Sequence, residues 1–214
     1  MIASPPAYSP REEIANAVTH GIGMLLSISA LILLVVYATI NGDSYHIVGC
    51  SIFGASLILL YSMSTMYHMV KTPKMKRIFR ALDHSSIFLL IAGTYTPFTL
   101  VNLHGSWGWT IFGLVWGIAV LGIVLETVTR QRYKKLSLTL YIGMGWLIII
   151  AVKPLLQTVD TGGIILLVGG GLFYSLGVIF YIWKSLVFNH AIWHLFVLAG
   201  SILHFFAVFF YVIP

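Results

Sequence analysis

A 214-residue chain with 59% hydrophobic and 8% charged residues has too few polar side chains to coat a globule, which excludes a soluble one- or two-domain protein. The formal net charge of +6 does not point to nucleic acid, because the basic residues stand in short runs between apolar segments, where they orient membrane insertion. The single cysteine, Cys50, excludes an intrachain disulfide and a Cys-rich zinc module, so a metal site would have to use histidine and carboxylate.

Residues 1–12, with Pro5, Pro6 and Pro10, read as a short cytosolic tail without the basic region and cleavage site of a signal peptide. About 20 apolar residues cross the hydrocarbon core as a helix. Seven segments qualify, near 17–40, 46–70, 82–102, 107–128, 136–153, 162–184 and 190–212. These runs are apolar on every face instead of alternating with period two, which argues against a β-barrel. The expected fold is all-α, a single seven-transmembrane-helix domain over 1–214.

Glu13 and Asn16 read as capping groups of the first helix, whereas His20 lies inside its apolar run and reads as support behind a site. Cys50 reads as a small buried apolar residue. Pro97, in Thr94-Tyr95-Thr96-Pro97, should kink the third helix, with hydroxyls at hand for the freed carbonyls. Glu126 pairs at i, i+4 with Arg130. Gly169-Gly170-Gly171 lets the sixth helix bend or pack closely, and Asn189 reads as the N-cap of the seventh.

Orientation follows from Lys and Arg in the connections. Arg11, Lys71, Lys74, Lys76, Arg77, Arg80, Arg130, Arg132, Lys134, Lys135 and Lys184 fall on one side, and Lys153 alone on the other. The N-terminus is therefore expected in the cytosol and Pro214 outside. An odd helix count argues mildly against an inverted-repeat transporter.

With this topology His68 ends the second helix, Asp83 opens the third, and His190 and His194 open the seventh, all at the cytosolic interface. The i, i+4 spacing of His190 and His194 puts both rings on one helical face, and Ser64 stands one turn before His68. Ionisable groups are expensive in a bilayer, so this convergence is informative. Three imidazoles without a thiolate suit zinc better than calcium or magnesium. Three protein ligands leave a position for water, whose pKa zinc lowers to roughly 7. Asp83 would accept the water's proton, while Ser64 would donate to a substrate carbonyl or orient His68. His46 and His104 read as interfacial residues and His84 as structural. His204, about 15 Å beyond His194 along the helix, reads as a buried hydrogen-bonding group.

Glu13-x-x-Asn16-x-x-x-His20, Ser64-x-x-x-His68, Asp83 and His190-x-x-x-His194, in this order, resemble the hemolysin III proteins, the bacterial branch of the progestin and adipoQ receptor family that includes the adiponectin receptors. The resemblance implies zinc bound by His68, His190 and His194, Asp83 contacting it through water, a cytosolic N-terminus and a place in the bacterial inner membrane. It further implies links to ceramidase activity and to membrane lipid and fluidity homeostasis. The short N-terminal tail makes a large extracellular protein ligand unexpected. The partners expected are membrane lipids.

Three functions stay open on the sequence. The first is an intramembrane zinc hydrolase cleaving a lipid amide, and the second a non-catalytic sensor or regulator with structural zinc. The third is a lytic pore, against which stands the lack of an amphipathic helix with a charged face.

Overall fold

Helix α1 (Pro10–Asn41) begins where the sequence supplies a capping box: Ser9 Oγ accepts from Glu12 N, the Glu12 carboxylate accepts from Ser9 N, and Pro10 occupies the first turn. The computed structural model describes residues 8–129 and 133–214, so Arg130 and Arg132, counted above for orientation, lie outside the described residues. Among these residues the chain is helical throughout, without strands: α2 (Ser44–Met69), α3 (Pro73–Pro97, followed by a π-helical turn Phe98–Asn102), α4 (Ser106–Val128), α5 (Lys134–Gly145), a 3-10 turn Leu147–Ala151, α6 (Val152–Thr158), α7 (Thr161–Ile182) and α8 (Asn189–Tyr211). Seven spans are long and apolar enough to cross a membrane, α5 to α6 counting as one. Side chains such as Ile40 and Leu121 are 72% and 70% exposed, as an outer surface facing lipid requires.

Three boundaries differ from the sequence reading. The third helix starts at Pro73, ahead of the apolar run expected from 82, because Pro73 sets a first helical turn and the basic residues after it lie on that helix, not in a loop. Asp83 therefore sits almost three turns inside α3 and does not open it. The fifth span is broken between α5 and α6 and runs to Thr158, beyond the expected end at 153. Tyr95 on α3 satisfies the backbone at this break: its hydroxyl donates to Gly145 O at 2.8 Å and accepts from Ile148 N at 2.9 Å. The seventh span is capped by Phe188, at φ 59°, not by Asn189, whose amide instead donates 2.9 Å to Phe180 O and so ties the end of α7 to the start of α8.

Pro97, which lacks a backbone donor for the α-helical ladder, leads directly into the π-helical turn, and Thr96 Oγ1 donates to Ala92 O one turn before. Gly170 packs so closely that a Cβ would overlap the His204 ring and press on the Gly200 carbonyl. Cys50 is buried in the core with Phe53, Leu57 and Phe88. The most extensive helix pairs are α1 with α2, α2 with α3 and α7 with α8, and α1 also packs on α8, so the last helix returns to the first. α3 is the most enclosed span.

Candidate metal centre

At the end of the bundle that carries most of the basic residues, α2 contributes His68 from its last turn and α8 contributes His190 and His194 from its first two. One nitrogen from each ring can be chosen so that all three lie within 4.8 Å of one another, and all three residues are buried. The hydrogen bonds on the far sides of the rings decide which nitrogens are free. His68 Nδ1 donates to the Glu13 carboxylate at 2.6 Å, leaving Nε2 as a buried lone pair without a partner. His194 Nδ1 lies 3.2 Å from Asn16 O and 3.1 Å from Thr19 Oγ1, again leaving Nε2 without a partner, and neither nitrogen of His190 has one. Three buried imidazoles directing lone pairs into one small volume are costly unless something occupies it. The donor set fits a divalent metal that accepts three neutral nitrogens.

Two turns of α1 support these rings. Glu13 also pairs with Lys76 at 2.6 Å, which fixes the carboxylate behind His68, and Asn16 is fully buried. Glu13 and Asn16 are thus not capping groups; Ser9 and Glu12 serve that purpose, and the other two face inward. Thr19 was not singled out from the sequence. Its neighbours give the missing signal, because Glu13, Asn16 and His20 recur at helical spacing on one face of α1, away from the Ser9 cap. His20 stacks on His194 with ring centroids 3.4 Å apart and bonds Ser64 Oγ through Nδ1 at 2.7 Å.

Ser64 in turn faces the carboxylate of Asp83, which is buried but stands outside the 4.8 Å set of imidazole nitrogens. One turn before Asp83 on α3, Arg80 is buried as well. Glu126, expected beside Arg130, is turned inward, 1% exposed, with the Tyr141 hydroxyl at 3.5 Å and His84 Nδ1 at 4.0 Å; Arg130 lies outside the described residues. His84 lines a cavity together with Asp83. His46 and His104 stand at the opposite end, His46 with Asp43 in the cap of α2 and His104 against Tyr45.

The cavity begins at His20 and Asp83 and runs between α3, α5, α7 and α8 as far as Thr94, Tyr95 and His204. It is partly open, and its lining is overwhelmingly apolar.

A family model described as haemolysin-III related matches residues 8–205, which includes every residue of this centre. The chain belongs to the haemolysin III family. It is 51% identical over 204 residues to the Hemolysin-3 of Bacillus cereus, covering 95% of this chain and 93% of that one. The Hemolysin-3 homolog of Bacillus subtilis (strain 168) is also 51% identical over 204 residues, 95% and 96% of the two chains. A more distant similarity, 28% over 209 residues (94% and 85%), links this haemolysin III protein to the human monocyte to macrophage differentiation factor, a member of the progestin and adipoQ receptor family. Seven spans and this membership make the chain an integral multi-pass membrane protein.

Proposed function

We propose that this haemolysin III protein is a zinc-dependent lipid hydrolase that cleaves an N-acyl amide while the acyl chain lies in the cavity between α3, α5, α7 and α8. The observation that carries the reading is a juxtaposition: Asp83 and His20 line an apolar cavity inside a membrane protein, and the His20 ring stacks at 3.4 Å on His194 of the three-histidine centre, which lies beside the cavity. A zinc ion held by His68, His190 and His194 would supply Lewis acidity toward the acyl carbonyl and toward water. Asp83 takes the proton from the attacking water and returns it to the departing amine as the C–N bond breaks, so that a carboxylate and an amine leave. Ser64, held by His20, orients Asp83 or donates to the carbonyl oxygen. Glu13, Asn16 and Thr19 hold His68 and His194 in the tautomer that offers Nε2. The apolar walls exclude bulk water from the reacting group. The distribution of Lys and Arg supports a cytosolic position for the centre.

A second reading, structural zinc in a membrane regulator, is favoured by the fact that the three imidazoles join the end of α2 to the start of α8. Purified, zinc-loaded protein presented with a panel of lipid amides and esters separates the two. A hydrolase releases fatty acid; Asp83→Asn keeps its metal and loses turnover, while His194→Ala loses metal. Absence of fatty-acid release from every lipid by metal-replete protein overturns the hydrolase.

A further inference from the structure

His204, in the wall at the far end of the cavity, carries a buried nitrogen for which hydrolysis has no use. His204, ten residues beyond His194 on α8, donates from Nε2 to Leu167 O at 3.1 Å, which leaves Nδ1 as a bare acceptor. Nδ1 is buried without a partner, and the residue, 8% exposed, lines the cavity. The ring is held in place by Tyr174, 5.4 Å away, and by Gly170, where even a Cβ would overlap it. Three other polar groups of the same walls have partners: the Tyr174 hydroxyl in Ser201, the Tyr95 hydroxyl in the backbone of the fifth span, and Trp146 Nε1 in Ser175. His20 Nε2 is the other unpartnered buried atom of the lining, and it lies at the opposite end, beside the histidine centre.

We propose that His204 Nδ1 accepts a hydrogen bond from a hydroxyl carried part-way along the lipid chain, so that the cavity selects hydroxylated acyl chains over plain ones. The inference rests on the reading of the cavity as an acyl-chain site. An acceptor buried in apolar walls is costly without a donor, and an alkyl chain offers none. A hydroxyl donates; a ketone at the same carbon does not. Ten residues of helix separate His204 from His194, about 15 Å, which is roughly a dozen methylenes of extended chain counted from a carbonyl at the centre.

The test uses wild-type, zinc-loaded protein and four acids: stearate, 2-hydroxystearate, 12-hydroxystearate and 12-oxostearate, measured by displacement of a fluorescent fatty acid. The expected result is 12-hydroxystearate binding about two- to tenfold more tightly than stearate, a gain shared by neither of the other two. In His204→Phe the ratio of 12-hydroxystearate to stearate affinity falls to one, and in His204→Gln, whose carbonyl can accept, part of it returns. Equal affinities for 12-hydroxystearate and 12-oxostearate in the wild type overturn the role of His204 and leave the acyl-chain site standing. Failure of all four acids to bind overturns both.

Discussion

Glu13→Ala tests whether the first helix holds the metal centre or merely passes beside it. In the structure the Glu13 carboxylate accepts from His68 Nδ1 at 2.6 Å, and after truncation that nitrogen retains only the Asn16 amide, 3.4 Å away. His68 is then free to rotate and to carry its proton on Nε2, the nitrogen directed at the centre. Loss of such a carboxylate behind a metal-binding histidine costs about 10- to 100-fold in affinity. Glu13 is 21% exposed and shared with Lys76, so the lower end applies: about tenfold, or about 1.4 kcal/mol. The assay is competition for zinc against a chelator of known affinity, in detergent, with thermal unfolding to establish that the variant is folded. Lys76→Ala, which leaves the contact with His68 intact, should change affinity by less than about threefold. A folded Glu13→Ala protein that binds zinc within about twofold of wild type would refute the argument.

If the proposed zinc binds only the folded arrangement, removing it should lower the unfolding temperature; at a free concentration of about 100 times Kd the stabilisation would be about 2.7 kcal/mol, and readdition should restore it. Gly170→Ala should destabilise by about 1–3 kcal/mol, read from thermal unfolding, since the new methyl overlaps the His204 ring and faces the Gly200 carbonyl. Tyr61→Phe loses the 2.7 Å bond to Ser201 Oγ and should cost about 0.5–1.5 kcal/mol. Ser201→Ala, which strips a partner from both Tyr61 and Tyr174, should cost more.

His190 and His194 were legible in the sequence because one helix carries both, and helical spacing is a local property. His68 joined them through topology, since apolar length and basic connections put the end of one span and the start of another at the same depth. The role of α1 was not legible in that way. A polar first turn is what a helix cap looks like, and whether Glu13 faces solvent or His68 depends on the packing of α1 against α2, which hydropathy does not encode. The basic stretch before Asp83 misled for a related reason: charge suggested a loop, whereas Pro73 starts a helix that emerges from the apolar layer with its cations still on it. The break in the fifth span depends on a hydroxyl from α3, so no reading of residues 136–153 alone could have placed it.

The centre draws on both ends of the chain, and this orders its assembly. α1 supports the rings, α2 carries His68, and the remaining two imidazoles arrive only with α8. A ribosome therefore delivers six spans before two of the three histidines exist. An incompletely made or truncated chain holds a single histidine of the set and has no means of capturing the ion. Under the proposed function, metal uptake would thus be a reporter of complete synthesis and insertion, acquired in one late step when the last helix docks against the first.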